Sequence, residues 1–364
     1  MATERSTSSG LAVAHAAPAG ASATANVVTP FEAIGREDTP TVGGKGANLG
    51  EMLHAGLPVP PGFVITIEAY HRFCEHGELG AEIAARLASV DVDDPDSLQQ
   101  ASRALRDLVL GTGIPDDLRA ELVDAYRTLS NDHDDGAPLV AVRSSATAED
   151  TVQFSFAGMF ESFLNVRGEA ALLRRVKECW ASTFGARVLF YRLKQGMPAE
   201  MPVAVIVQRM IDSEKSGVMF TVDPATHDPT RIVIEAAWGL GEVVVGGQVT
   251  PDHYVMDKKT LATLTADVAH KDFLLTRRPG GATTVRIDLA GDARADARVL
   301  TDAELRTIAE LGLRSEQHYG TPQDLEFAVE GDAVYLTQTR PITTLSERPV
   351  VTPSTDGRQD GGRA

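Results

Sequence analysis

Apolar residues recur at helical spacing through much of the first half of the chain. The longest such stretch has an apolar side chain at every fourth position from Leu172 to Val188, and it predicts one helix from Glu169 to Tyr191. The aromatic residues of this stripe are expected to lie in the core rather than to bind a ligand. The shorter predicted helices are residues 69–76, 97–110 and 115–129.

Beyond Gly196 the pattern changes to short runs rich in Val and Ile, which are typical of strands. The expected strands are residues 63–66, 139–143, 203–210, 218–222 and 231–236. Thr301 begins a capping box, which predicts a helix that ends near Gly320. Residues 322–343 alternate like two neighbouring strands. This mixture predicts an α+β protein with two lobes and a boundary near residues 196–202.

The two ends of the chain differ in composition from its middle. Residues 1–27 are rich in Ala, Ser and Thr, and residues 346–364 turn to Pro, Asp, Gly and Arg without periodicity. Such segments do not bury enough apolar surface to offset the entropy that ordering costs. We therefore expect a disordered leader and a disordered tail on either side of a first lobe at 28–198 and a second lobe at 199–345.

The composition narrows the classes of partner. The 364 residues include 34 basic and 51 acidic ones, which gives a formal net charge of -17. This charge disfavours nucleic acid and anionic membranes as partners, and no apolar run is long enough to span a bilayer. Cys74 and Cys179 lie far apart and outside any zinc-binding pattern. This use of cysteine predicts a protein of the reducing cytoplasm.

A charged residue followed by hydroxyl residues comes directly after the strand at 139–143. Arg143 leaves this apolar strand, and Ser144, Ser145 and Thr147 follow it. A guanidinium held at a sheet edge, ahead of loop hydroxyls and backbone amides, is suited to an anionic ligand. The alternative is a solvated surface arginine followed by ordinary loop formers.

A second set of polar side chains lies in the alternating region near the other end. Glu326 and Gln338 offer oxygen ligands for a hard cation, and Arg340 offers another guanidinium for phosphate. Because side chains in strands alternate with period two, we expect these three, together with Asp324, to share one face. With Arg143, they predict a site for a nucleotide triphosphate.

A glycine-rich segment precedes a predicted helix early in the first lobe. Gly43 and Gly44 come before Lys45, and Gly46 stands where a Walker A loop has Ser or Thr. By itself, this segment favours an ordinary turn followed by a helix start.

Five segments carry a family resemblance, in order and at the expected spacing. They are VGGKGANLGEM (42–52), VRSSATAED (142–150), FAGMFESFLNV (156–166), WGLGE (238–242) and QTRPITT (338–344). The chain resembles the ATP-binding domain of phosphoenolpyruvate synthase and rifampicin phosphotransferase and, more distantly, that of pyruvate phosphate dikinase. The resemblance implies a two-lobed, ATP-grasp-like nucleotide-binding clamp that takes ATP and Mg2+.

The resemblance also implies roles for particular residues. The residues expected to contact the nucleotide or its metal are Lys45, Arg143, Gly158, Ser162, Gln208, Glu326, Gln338 and Arg340. Lys45, Arg143 and Arg340 are expected to act on the phosphates in catalysis. Glu326 and Gln338 are expected to hold Mg2+.

Three further positions concern the base, a departure from the family and a segment whose role stays open. Gln208 is expected to contact adenine or ribose, beside an apolar slot formed by Ile206 and Met210. Met159 stands where relatives usually have glutamine, so any polar contact from that glutamine is lost. Trp238–Glu242 fits a turn between strands and a nucleotide-facing loop equally well.

The activity implied by the resemblance is phosphoryl transfer from Mg-ATP to a histidine, with AMP as product. In the family this histidine lies on a swivelling domain, and another domain binds the final acceptor. None of the nine histidines here has a comparable setting, so we expect a separate partner protein that carries both domains. Two alternatives stay open: the ATP-binding part of a rifampicin phosphotransferase-like enzyme, and a non-catalytic ATP-binding regulatory module.

Overall fold

The computed structural model of the protein describes residues 26–130, 137–146, 150–151, 154–155, 161–197, 201–278 and 281–343. The helices are α1 Thr39–His54, α2 Ile67–His76, α3 Leu79–Ala88, α4 Pro95–Gly111, α5 Asp116–Arg127, α6 Glu169–Ser182, α7 Ala186–Lys194, α8 Glu242–Val245 and α9 Asp302–Tyr319. The strands are β1 Val28–Pro30, β2 Gly62–Ile65, β3 Leu139–Ala146, β4 Asp150–Thr151, β5 Phe154–Ser155, β6 Ser162–Arg167, β7 Val203–Arg209, β8 Lys215–Phe220, β9 Arg231–Trp238, β10 Asp252–Asp257, β11 Thr263–Asp267, β12 Phe273–Arg277, β13 Thr284–Asp288, β14 Gln323–Glu330 and β15 Ala333–Pro341. The expected leader, apart from residues 26 and 27, and the expected tail lie outside the described residues.

Antiparallel pairing builds two main sheets. The first has the strand order β1-β2-β7-β3-β6, and the second has the order β11-β10-β9-β8-β14-β15. Helices combined with antiparallel sheets agree with the predicted α+β class. Within the described part of the chain, no helix is both long enough and apolar enough to cross a membrane.

Strand β7 lies in the first sheet, although it follows the predicted lobe boundary near residues 196–202. It pairs between β2 and β3. Val205 and Val207 pack into a core formed with helices of the first lobe, whereas Ala204 and Ile206 pack into a core shared with the second sheet, α1 and α9. The two faces of β7 therefore serve different cores, and the order of elements along the chain does not reveal this.

The predicted helix at 169–191 is in fact two helices, α6 and α7. The hydroxyl groups of Ser182 and Thr183 donate to backbone carbonyls one turn earlier, at 2.7 and 2.8 Å, and Gly185 precedes α7 with extended backbone. Side-chain bonds of this kind compete with helical backbone pairing. The apolar spacing nevertheless continues across the break, since Phe184 is fully buried, and the sequence pattern therefore concealed it.

Helix α9 begins and ends where the sequence predicts. The backbone amide of Glu304 donates to the Thr301 hydroxyl at 3.3 Å, and the Thr301 amide donates to the Glu304 carboxylate at 2.7 Å. Gly320 follows the helix in a left-handed conformation, which glycine adopts at little cost. The helix packs against β8, β14 and β15, so it supports the strands that carry the second set of polar residues.

Candidate functional site

A cavity of about 240 Å3 opens between the two main sheets. Its walls come from β3, β6 and β7 of the first sheet, from β8, β14 and β15 of the second, from α8, and from the loops that follow β7 and β9. The predicted site residues that line it are Arg143, Ser162, Gln208 and Glu326. The apolar residues of the lining include Ala141, Leu164, Met210, Ile211, Leu240 and Val245. An apolar wall with a few charged groups is typical of sites for small organic ligands.

Arg143 connects the two sheets across this cavity. Its Nη1 donates to the carbonyl oxygen of Thr337 at 3.2 Å, and its Nη2 donates to Oε1 of Gln338. The same Nη2 lies 3.8 Å from Oε2 of Glu326, and the arginine side chain is only 14% exposed. Solvent therefore screens these contacts weakly. Arg143 and Gln338 are 195 positions apart in the sequence, and the fold brings them into direct contact.

The predicted polar face of the β14–β15 hairpin is present, with one irregularity. Glu326 pairs with Gln338, and Asp324 pairs with Arg340. Beside Glu326 the register shifts, because Thr337 is an extra residue that has no partner across the ladder. The carbonyl of this bulge residue accepts the hydrogen bond from Arg143.

Arg340 and Lys45 are not among the residues that line the cavity. The Nε of Arg340 donates to Oδ2 of Asp324 at 2.8 Å, and the Arg340 side chain is 53% exposed. Lys45 lies in α1, directly before Gly46, whose backbone amide donates to the hydroxyl of Ser145 at 3.1 Å. Both cations are thus held close to the elements that carry the site, with Arg340 the more open of the two to solvent.

The oxygen atoms of Glu326 and Gln338 fit the preference of Mg2+ for hard ligands. They are cross-strand partners, and the amide oxygen and a carboxylate oxygen both lie beside the Arg143 guanidinium. In the described ranges, no group of three or more His, Cys, Asp and Glu residues could hold a metal ion. Mg2+ held here would take its remaining ligands from phosphate and water, as it does where one or two protein oxygens suffice.

The glycine-rich segment is a kink within α1, not a turn ahead of the helix. Gly43 has φ 73° and ψ 167°, a conformation open essentially to glycine alone. A β-carbon at this position would lie 2.2 Å from the carbonyl oxygen of Ser145. The hydroxyl of Ser145 in turn donates to the Val42 carbonyl at 2.8 Å. The kink therefore lets α1 approach the end of β3, two residues beyond Arg143.

The substitution Gly43→Ala is expected to lower the free energy of unfolding by about 2 to 3 kcal/mol, because it adds backbone strain to a steric clash. Equilibrium unfolding in urea measures this loss. Gly291→Ala is the matched control, since Gly291 has φ 78° and nothing within 4 Å of its added β-carbon. That variant should lose only about 1 kcal/mol. Equal losses in the two variants would show that the close approach to Ser145 contributes nothing.

The predicted nucleotide contacts on the first sheet fall into different environments. Gln208 is buried, and its amide nitrogen donates to the Pro60 carbonyl at 3.3 Å. Ser162 is exposed at the cavity and pairs with Arg143 across β6 and β3. Ile206 was expected to shape an apolar slot beside Met210, but it is fully buried in the core shared by the two sheets and does not line the cavity.

Of the remaining expectations, Gly158 and Met159 lie outside the described residues. Nothing in the fold therefore bears on the nucleotide contact expected of Gly158. The loss of a polar contact at Met159 stays a prediction as well.

Within the segment Trp238–Glu242, whose role the sequence left open, Leu240, Gly241 and Glu242 line the cavity. The Gly239 carbonyl accepts hydrogen bonds from the hydroxyls of Ser213 at 3.2 Å and Ser216 at 2.6 Å. The Trp238 indole points elsewhere and donates to a backbone carbonyl at 3.0 Å. Glu242 lines the cavity, and burial raises the pKa of its carboxyl group. Ser213 and Ser216 also line it, and no sequence pattern had singled them out.

Comparison with known proteins gives a consistent family assignment. The family model described as "Pyruvate phosphate dikinase, AMP/ATP-binding domain" matches residues 39–360. A probable phosphoenolpyruvate synthase of Methanothermobacter thermautotrophicus is 45% identical over 318 residues, which cover 87% of this chain and 46% of that relative. The phosphoenolpyruvate synthase of Pyrococcus furiosus is 41% identical over 356 aligned positions, and the match covers 87% of this chain and 44% of that relative. The chain thus spans less than half the length of these curated relatives.

Proposed function

Because the chain belongs to the family of the pyruvate phosphate dikinase AMP/ATP-binding domain, we propose that it binds Mg-ATP and donates a phosphoryl group to a histidine of a partner protein. The product is AMP, as in a phosphoenolpyruvate synthase-like phosphotransferase. The observation that carries this proposal is the contact of Arg143 with both Gln338 and Glu326 across the cavity between the sheets. A guanidinium, a carboxylate and an amide oxygen converge there, as phosphate and its metal require.

Each charged residue has a proposed part in the transfer. Arg143 at the cavity, with Lys45 and Arg340 beside it, offset the charge of the phosphate chain and orient it. Bound Mg2+, held by Glu326 and Gln338, would neutralise phosphate charge and polarise the phosphoryl oxygens. Phosphoryl transfer depends mainly on positioning and electrostatics, so no nucleophile from this chain is required.

In this proposal the nucleotide lies in an ATP-grasp-like clamp of two lobes, 28–198 and 199–345, although β7 of the second lobe pairs within the first sheet. Gly158 and Ser162 approach the nucleotide. With its amide nitrogen bound to the Pro60 carbonyl, Gln208 can present its amide oxygen to the amino group of adenine. The apolar residues beside it, including Met210, cover the base.

The acceptor histidine is proposed to lie on a separate protein that also carries the domain for the final acceptor. One phosphoryl group of ATP goes to the histidine nitrogen, and water takes the other as inorganic phosphate, which leaves AMP. The final acceptor, pyruvate or an antibiotic hydroxyl, is a property of that partner. Cys74 and Cys179 are both buried in the fold, and buried thiols accord with our proposal that the protein works in the cytoplasm.

Labelled ATP tests the proposal, with a candidate partner such as a histidine-domain protein from a neighbouring gene. ATP labelled at the β-phosphate should give AMP and a labelled histidine on the partner. Arg340→Ala should slow this transfer, because it removes about 2 to 3 kcal/mol of transition-state stabilisation. This value is at the lower end of the range for a lost charged donor, since the Arg340 side chain is partly exposed to solvent. Rapid-quench measurements of AMP formation report the rate.

Two results would count against the assignment. Near-normal transfer by Arg340→Ala would remove this residue from the phosphate site. Tight binding of Mg-ATP without AMP formation by any partner would instead favour the regulatory module. The exposed Arg119, which pairs with Asp116 on α5, provides the control variant Arg119→Ala, for which we expect wild-type rates.

A further inference from the structure

Glu242 lines the cavity, and its carboxylate has no partner among the described residues. It lines the same cavity as Arg143 and Glu326, yet it accepts no hydrogen bond from the described residues and forms no ion pair with them. Arg209, another charged residue in the lining, does not pair with it either. Partial burial raises the pKa of this carboxyl group. A desolvated carboxylate without hydrogen-bond donors is unfavourable. A ligand that supplies such donors would relieve this cost, and the relief would favour its binding.

The backbone that carries Glu242 is held firmly in place. The Gly239 amide donates to the Glu214 carbonyl at 2.8 Å, and the Leu240 amide donates to the Leu275 carbonyl at 2.8 Å. A β-carbon on Gly239, which has φ 83°, would lie 2.1 Å from the same Leu275 oxygen. The wall that presents Glu242 is therefore fixed from two sides. Fixed groups bind a ligand without the entropic cost of ordering a loop.

The position of Glu242 along the cavity is set by strands β8 and β14. Ser216 is the cross-strand partner of Ala328, two residues beyond Glu326, and Gly241 packs against Ser216, with an added β-carbon 3.6 Å from it. Two strand residues span about 7 Å. Gly241, and with it the start of the segment that carries Glu242, thus lies about two strand residues beyond the level of Glu326, a separation comparable to the breadth of a sugar.

Resting on the ATP binding proposed above, we infer that Glu242 is a specificity-determining residue that accepts hydrogen bonds from the 2′- and 3′-hydroxyls of the ribose. The two oxygens of a carboxylate match the two donors of a vicinal diol. The edge of adenine presents a donor beside an acceptor, and the acceptor would repel a carboxylate. The diol is the part of ATP that Glu242 fits, while the amide of Gln208 fits the base.

Nucleotide binding measured by calorimetry on the full chain tests this inference. The wild type should bind Mg-ATP roughly 10- to 100-fold more tightly than Mg-2′-deoxy-ATP or Mg-3′-deoxy-ATP, the range for hydrogen bonds to a charged group. Glu242→Ala should weaken ATP binding by a similar factor and bind all three nucleotides with nearly equal affinity. Glu242→Gln, which keeps the shape, should discriminate to an intermediate degree. Glu75→Ala, at an exposed position of α2, should behave as the wild type.

The possible outcomes separate this inference from the proposed function. If the Glu242 variants stay folded, bind ATP and still discriminate against the deoxynucleotides, the ribose assignment is wrong while the ATP site stands. If Glu242→Ala instead alters the preference for adenine over hypoxanthine nucleotides, the carboxylate contacts the base and the inference is also overturned. If the wild type binds no adenine nucleotide, both the ribose assignment and the proposed function are wrong. Unfolding curves in urea establish that each variant is folded.

Discussion

Replacing Arg143 with alanine is expected to weaken Mg-ATP binding by about 3 to 5 kcal/mol, roughly 150- to 5,000-fold in dissociation constant. The guanidinium is little exposed, and it contacts Gln338 and Thr337 and lies near Glu326. Its removal leaves the phosphate charge, and the buried side of Glu326, without a cation. Arg143→Lys should recover only part of the affinity, because an ammonium keeps the charge but lacks the two-pronged geometry. Isothermal titration calorimetry with Mg-ATP provides the measurement.

The control for this comparison is again Arg119→Ala, which removes an exposed arginine and should bind Mg-ATP like the wild type. Arg143 also joins the two sheets, so its loss should lower the free energy of unfolding. This loss should be only about 1 kcal/mol, the net contribution of a typical hydrogen bond. An Arg143→Ala protein that is folded and binds Mg-ATP with wild-type affinity would remove the phosphate site from the cavity.

The second large effect is expected at Lys271, far from any sequence motif. Lys271 and Asp252 are both fully buried, with Nζ 2.6 Å from Oδ1. The carboxylate also accepts the Tyr254 hydroxyl at 2.9 Å and the amides of Ala269 at 3.1 Å and Val299 at 2.8 Å. Burial raises the pKa of Tyr254 to about 12, so its hydroxyl stays a donor. The network attaches the segment that leads into α9 to strand β10.

Replacing Lys271 with methionine should therefore lower the unfolding free energy by about 3 to 5 kcal/mol, because it leaves a buried carboxylate without its counter-charge. Chemical denaturation followed by circular dichroism measures the loss. Adding Asp252→Asn to Lys271→Met should restore part of the stability, since no unpaired charge then stays buried. Lys259→Met, at an exposed turn, is the matched control and should lose less than about 0.5 kcal/mol. A Lys271→Met protein as stable as that control would contradict the argument.

Local patterns predicted the parts of the fold that depend on neighbouring residues. The capping box at Thr301 gave the start of α9, and the apolar run before Arg143 gave strand β3. Alternation in the last hairpin correctly predicted that Glu326 and Gln338 share one face. Each of these features is encoded within about ten residues, where propensity and periodicity act directly.

The features that sequence reasoning missed depend on distant partners. β7 belongs to the first sheet because β2 and β3 flank it. The residues of β7 alone do not specify these neighbours. The same pairing puts Ile206 in the core. Lys271 and Asp252 are 19 positions apart, and a buried lysine cannot be told from an exposed one by its spacing. The role proposed for Glu242 was likewise hidden, since a segment such as WGLGE fits a turn and a binding wall equally well.

The bulge at Thr337 has a consequence for how this hairpin can change. Up to Leu336 every second side chain of β15 is buried, and beyond the extra residue the buried set resumes at Thr339. Deleting Thr337 would restore an unbroken ladder in which Gln338 still lies opposite Glu326, but it would remove the carbonyl that receives Arg143. The extra residue thus changes the buried positions of β15 from even-numbered to odd-numbered ones. The hairpin must keep this irregularity in its ladder for as long as the Thr337 carbonyl holds Arg143.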